Sequence, residues 1–203
     1  MRHGETAWNA AKRVQGQADV PLNRAGRRQA RAAARRLDDV DLVAVYSSDL
    51  SRALDTAHPI AQRHGLEVAT DPAFREVDQG DWEGLTNDEV RARWPELWGP
   101  ARHFSQRPGG ETPEQVLKRA LEGLARVVEH YPSGAVVVVS HGGTIRWISA
   151  AALDYDMEAS ARIRGVSNGG AVVVDAVLDS GVLTLSNLTR LDGKDTDLDD
   201  PNA

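Results

Sequence analysis

Ala135-Val136-Val137-Val138-Val139-Ser140-His141-Gly142-Gly143-Thr144 is the stretch that decides the fold of this 203-residue chain. A continuous apolar, β-branched run of this length reads as a strand buried on both faces, the mark of a central strand in a parallel sheet. The apolar residues that follow Gly143 predict a helix running to about Leu153. A histidine between a strand's carboxyl end and a helix start lies where open α/β sheets bind ligands. His141 is therefore a candidate site residue; alone, it reads equally well as a satisfied core histidine.

Upstream, Thr112-Pro113-Glu114-Gln115 has the residues of a capping box with proline in the first turn. It predicts a helix whose buried stripe is Leu117, Ala120, Leu121, Leu124, Val127 and Val128. Leu42–Ser47 and Leu66–Thr70 read as short strands, separated by a helix capped by Asp49 and ending near His64. Asn23 caps a further helix to about Asp38, with Ala30, Ala33, Ala34 and Leu37 on one face. Its other faces carry Arg24, Arg27, Arg28, Arg31, Arg35 and Arg36. These suit an anionic polymer, but a solvated helix face is the simpler reading in an acidic chain. Residues 5–22 read as loop.

Residues 72–111 break the strand–helix rhythm and hold Phe74, Trp82, Trp94 and Trp98, with Phe104 close behind. A helix is expected from Thr86, with Glu89 completing a capping box. So long an excursion reads as a lid or substrate-binding segment. Asp78, Asp81 and Glu83 surround Gly80 and Gly84 without the spacing of a calcium loop. Ala171–Val177 and Val182–Asn187 form a hairpin through Asp179-Ser180-Gly181. Residues 1–191 are expected to form a single domain. The segment from Asp192 to Ala203 reads as an acidic, disordered tail.

The formal charge of −6 and a pI near 5.5 argue against a dedicated nucleic-acid binder. With no cysteine there is neither a disulfide framework nor a thiolate site. No run approaches the roughly 20 apolar residues of a membrane span. A soluble, cytoplasmic protein without membrane or nucleic-acid partners is the expectation.

The chain opens Met1-Arg2-His3-Gly4-Glu5-Thr6-Ala7-Trp8-Asn9. An imidazole is a nucleophile or base near neutral pH, and a guanidinium fork matches phosphate oxygens. Gly4 is read as the site of a sharp backbone turn that lets an anion approach its N–H. Arg52 falls in the first turn of its helix, where a cation opposes the dipole. That local conflict suggests that it meets an anion.

Together these elements resemble the histidine phosphatase superfamily, the phosphoglycerate mutase-like fold. The resemblance rests on Arg2-His3-Gly4 with Asn9, on Gly16 and Asp19, and on Leu22 through Gly26 to Gln29-Ala30. It continues with Ser48, Leu50, Arg52-Ala53 and Thr56-Ala57, then Arg75-Glu76, then Ser140-His141-Gly142-Gly143. It implies a three-layer α/β/α sandwich, its central sheet mostly parallel with an antiparallel edge strand. It also implies that His3 attacks phosphorus and that Arg2, Arg52 and a charged His141 cradle the phosphoryl oxygens. Glu76 would be the general acid and base. Asn9, Gln15, Gly16 and Gly142 would bind phosphate. No metal and no other cofactor is implied.

Gly80-Asp81-Trp82-Glu83-Gly84 and Gly109-Gly110-Glu111-Thr112 look like the phosphatase branch. The expected reaction is therefore metal-independent hydrolysis of a small phosphomonoester, releasing inorganic phosphate. A cofactor-dependent phosphoglycerate mutase is the alternative, and a homodimer is a compatible assembly. Arg102, Arg107, Trp94 and Trp98 are candidate substrate contacts, or equally lid packing. His58, His64, His103 and His130 match no motif of the family. The family also places a hydrophobic strand before Arg-His-Gly, and here a single residue precedes Arg2. The expectation is a missing central strand, with His3 left on a loose chain end; a start set too late, Met1 standing where an internal residue lies, is the first explanation, and a truncated, weak or inactive protein that only binds is the alternative.

Overall fold

The structure is a computed structural model that describes residues 1–99, 105–160 and 162–191. The acidic tail, Arg102, His103 and Phe104 lie outside the described residues. In chain order the elements are α1 (Ala7–Ala10), α2 (Arg24–Arg36), β1 (Leu42–Ser47), α3 (Ser51–His64), β2 (Val68–Thr70) and α4 (Asn87–Arg93). Then come α5 (Pro113–His130), β3 (Ala135–Val139), α6 (Gly142–Ala152), α7 (Met157–Ser160), β4 (Val172–Asp179) and β5 (Val182–Arg190).

β2, β1 and β3 form a parallel sheet in that order, with Val45 opposite Val68 and Ser47 opposite Val139. β4 and β5 form a separate antiparallel pair. Ser180 and Gly181 both have positive φ, 50° and 82°, as a two-residue hairpin turn matching strand twist requires. The alanines of α2 and α3 allow those helices to pack closely over the sheet. Ala34, Leu37, Val45, Ala53, Ala57, Ile60 and Val139 form that core. A second core joins α5 and α6 through Val116, Trp147, Ala150 and Ile163 with Val77. The three-layer α/β architecture stands.

Several local expectations change. Among the named strands β1 is the one paired on both sides; β3 has β1 on one side and residues 1–3 beside its carboxyl end on the other, and along Ala135–Val138 it is only half-buried. Residues 1–3 pair with the far end of β3, where the Met1 amine donates to Val138 O (2.8 Å) and His3 N–H to Ser140 O (3.0 Å). Arg2 N–H bonds the other way, to Gly170 O (2.9 Å). His3 is therefore pinned between β3 and the lead-in to β4, and it is not a loose end. Its carbonyl also accepts from Gly169 N and Asn168 Nδ2.

Residues 5–22 are not all loop. α1 is a single turn closed by a reciprocal Thr6–Asn9 capping box, too short to show an apolar face. α3 begins after Leu50 with no side-chain cap, because the Asp49 carboxylate pairs with Arg75 through both oxygens (2.8 and 2.5 Å). The predicted caps at Asn23, Thr86 and Thr112 form. The most buried line of α5 is Val116, Ala120, Gly123 and Val127, with Leu117, Leu121, Leu124 and Val128 half-buried. The stripe is displaced because Gly123 lets Ala73 and Phe74 press against the helix, where an added Cβ would lie 2.8 Å from Ala73 Cβ. All six α2 arginines are exposed.

Candidate active site

The carboxyl ends of β1 and β3, the starts of α3 and α6, and residues 1–4 converge on one point. His3 is buried, its ring 5.0 Å from that of His141. His3 Nδ1 lies 2.6 Å from the Gly4 carbonyl, which has no proton to give. That contact is a hydrogen bond only if Nδ1 carries the hydrogen, which leaves the Nε2 lone pair as the reactive atom. Burial, then Arg52 and Arg2, lower the His3 pKa to about 3, so this lone pair is present at neutral pH.

His141 is fully buried, and Arg52 Nε approaches its Nδ1 at 3.2 Å as donor. The proton of the neutral ring is thereby placed on Nε2, a buried atom with no protein partner. Burial, with His3, Arg52, Arg2 and Arg119 nearby, holds the His141 pKa well below its usual value. A charged His141 is the sequence expectation; burial and the Arg52 contact favour instead a neutral ring that donates through Nε2.

These two histidines fix a sign for stability against pH. Unfolded imidazoles bind a proton near pH 6.5, and the folded ones do not, so the unfolded state takes up more protons on acidification. Stability is retained above pH 6.5 and lost as pH falls towards about 3. Compared with a His3→Asn variant, the wild type should lose about 1.4 kcal/mol more per pH unit between about pH 6 and 4. Urea unfolding at stepped pH measures this, and parallel curves would show that His3 is not buried as the free base.

Arg52 is buried, with NH1 donating to Ala18 O and NH2 to Gly16 O, both at 2.7 Å. With its amide turned so that nitrogen faces Thr6 Oγ1, Gln15 presents its oxygen to Arg52 Nε at 2.6 Å. Gln15 therefore braces Arg52. Arg2 uses NH1 on Val166 O (2.7 Å), while its Nε is buried without a protein partner. Burial lowers the Arg2 pKa, partly offset by Glu76. The Asn9 oxygen accepts from Thr6 N and Asn168 Nδ2, so its amide NH2 is turned the other way. Gly142 opens α6 and lies against the Arg2 guanidinium, where a Cβ would come within 3.4 Å of Cζ.

Gly4 has a different reason from the one expected. Its N–H donates to Thr56 Oγ1 (3.0 Å), and a Cβ on it would fall 2.5 Å from Gly26 O. The glycine is needed for close packing on the start of α2, not for an anion.

Glu76 is buried on the first turn of α6. Oε1 accepts from Val77 N (2.9 Å) and Thr144 N (3.2 Å), and Oε2 from Gly143 N (3.2 Å). A helix N-terminus is a favourable place for a carboxylate. The acidic residues that follow are dispersed. Asp78 caps Gly80 N, Glu83 accepts from Ala18 N and Asp81 is exposed. Among the described residues no three His, Asp or Glu side chains gather as a metal-ligand group.

Trp82 is buried, with the Trp94 and Trp98 rings each 6.3 Å away and the Arg107 guanidinium 5.5 Å over it. Trp94 and Trp98 thus both pack on Trp82. His58 and His130 are exposed and His64 half-buried. Reading the sequence missed Arg119 and Glu111, which tie the backbone beneath Glu76. The only signal for Glu111 was its place in the Gly-Gly-Glu-Thr element.

A free imidazole lone pair beside the Arg2 and Arg52 guanidinium groups, with a buried carboxyl alongside, is a set suited to binding and transferring a phosphoryl group on an α/β fold. The Histidine phosphatase superfamily (branch 1) model matches residues 1–189, and the chain belongs to that family and is a hydrolase. It is 37% identical over 185 residues to glucosyl-3-phosphoglycerate phosphatase of Mycobacterium tuberculosis, covering 83% of this chain and 80% of that protein. It is 41% identical over 155 residues to metal-independent phosphoserine phosphatase of Arabidopsis thaliana, covering 73% of this chain and 65% of that protein. A solved mycobacterial glucosyl-3-phosphoglycerate phosphatase in complex with VO3 superposes with a TM-score of 0.82 at 34% identity, over 92% of this chain and 94% of that one. Among the described residues no helix is long and apolar enough to cross a membrane.

Proposed function

We propose that the protein hydrolyses a small phosphorylated metabolite in the cytoplasm, without a metal ion, through a phosphohistidine on His3. The observation that carries this reading is the Nδ1 contact with Gly4 O, which leaves His3 Nε2 as a free base beside Arg2, Arg52 and His141. In the first step Nε2 forms a bond to phosphorus while the ester P–O bond breaks, and Glu76 protonates the departing oxygen. In the second, water attacks phosphorus, the N–P bond breaks and Glu76 takes the water proton. Splitting the hydrolysis in this way replaces one difficult displacement with two easier ones. Arg2, Arg52, the His141 Nε2–H, the Asn9 amide NH2 and the Gly142 N–H stabilise charge on the phosphoryl oxygens as it develops. Gly16 takes part through its carbonyl, which steadies Arg52.

Relatives named as phosphatases of small phosphorylated compounds support hydrolysis over mutase chemistry. The test is phosphate release from an aryl phosphate in EDTA. Activity is expected to be unchanged by the chelator. Activity lost in EDTA and restored by a divalent cation would overturn the metal-free reading, and phosphoglycerate interconversion without phosphate release would favour the mutase.

A further inference from the structure

Arg75 to Asp78 is irregular backbone between two short 3₁₀ turns, so its carbonyls have no helix or sheet partners. Buried carbonyls need partners, and here side chains provide most of them. Ser140 Oγ donates to Phe74 O (2.8 Å) and Thr144 Oγ1 to Arg75 O (2.6 Å). Gln17 Nε2 donates to Glu76 O (3.3 Å) and Glu111 N to Asp78 O (3.1 Å), and Arg119 on α5 adds three more bonds. Its NH1 donates to Ala73 O and Arg75 O, both at 2.8 Å, and its NH2 to Glu76 O at 3.0 Å. Nε and NH2 also form a fork on Glu111, at 2.8 and 2.9 Å. All five N–H groups of the guanidinium are therefore spent. Glu111 Oε2 also accepts from Asp78 N (2.9 Å), closing the clamp beyond Glu76. Burial works against the Glu111 carboxylate, and its bonds to Arg119 and Asp78 N outweigh that, leaving its pKa below the ordinary value.

We infer that Arg119, oriented by Glu111, is a positioning residue that sets where the Glu76 carboxyl meets the leaving oxygen. The inference rests on the acid–base role proposed for Glu76. The Glu76 side chain is fixed at one end by the α6 amides and at the other by its own main chain. Proton transfer needs heavy atoms within hydrogen-bond reach, so a backbone free to shift would cost protonation before it cost binding. Lysine cannot replace this arginine, since one ammonium cannot span three carbonyls and a carboxylate fork.

The test uses kcat/KM on two aryl phosphates, because this ratio covers only the steps through departure of the aryl group. Phenyl phosphate has a poor leaving group that needs a proton, and 2,4-dinitrophenyl phosphate does not. Arg119→Lys is expected to lose about 10²-fold on phenyl phosphate, by loss of general acid catalysis, with little change on the dinitrophenyl ester. Glu111→Gln, which keeps the shape and one acceptor oxygen, is expected to show the same selectivity to a smaller degree and covers the case in which Arg119→Lys does not fold. Glu76→Gln is the reference. If it shows no leaving-group selectivity, the acid role itself fails. If it does, and the clamp variants lose both substrates equally or neither, the positioning inference is overturned while the acid role survives.

Discussion

A His3→Asn enzyme is expected to lose at least about 10⁴-fold in phosphatase activity, the scale seen when a nucleophile is removed from a preorganised site. Asparagine is smaller than histidine but can place an amide N–H where Nδ1 stands, near Gly4 O, and it offers no lone pair of comparable basicity. Wild-type protein mixed with a fast-leaving aryl phosphate and quenched in alkali should carry covalent, acid-labile phosphate. The variant should carry none. Inorganic phosphate should still bind the variant, because the Arg2 and Arg52 donors and the His141 Nε2–H remain. Residual activity above about 1% of wild type, far over that limit, would mean that another group attacks phosphorus. Persistent covalent phosphate in the variant would mean that the labelled residue is elsewhere.

Much of this site is legible in the sequence because chemistry and topology coincide there. His141 follows a β-branched strand, and Arg52 sits where a helix dipole disfavours it. The surroundings are less legible because they consist of contacts between distant residues. Arg119 looks like any surface arginine on an amphipathic helix, yet it reaches across 43 to 46 positions to carbonyls of an irregular segment. Asp49 has the residue type of a cap, but a bidentate arginine outcompetes the helix for it. Gly4 carries no sign that Gly26 will press on its Cα. The charge on His141 is not legible for a similar reason. A sequence places histidine next to arginines, but burial and the direction of the Arg52 bond decide which protons remain.

Arg52→Lys is the second substitution with a large expected effect, and it separates two uses of one side chain. Of five N–H groups, one each from Nε, NH1 and NH2 is committed to His141 Nδ1, Ala18 O and Gly16 O. These bonds hold the residue 15–19 loop and keep the His141 proton on Nε2. Gln15 Oε1 shares the Nε hydrogen and takes the second NH1 hydrogen (3.2 Å), so one N–H on NH2 is left for a phosphoryl oxygen, and Glu76, Asp19 and Glu83 partly offset the burial that lowers the Arg52 pKa. A lysine ammonium keeps the charge, but its single nitrogen cannot reach these acceptors together. It would leave the carbonyls unpaired and His141 free to change tautomer. A fall in kcat/KM of about 10³-fold is expected, with weaker phosphate binding by calorimetry, since an oriented donor aimed at transition-state charge is typically worth 10²- to 10³-fold. Stability should fall by about 3 kcal/mol in urea, because the buried carbonyls lose their partners. A variant with kcat/KM within tenfold of wild type would show that charge alone suffices at this position. The bonds to Gly16 and Ala18 would then serve the fold and not the reaction.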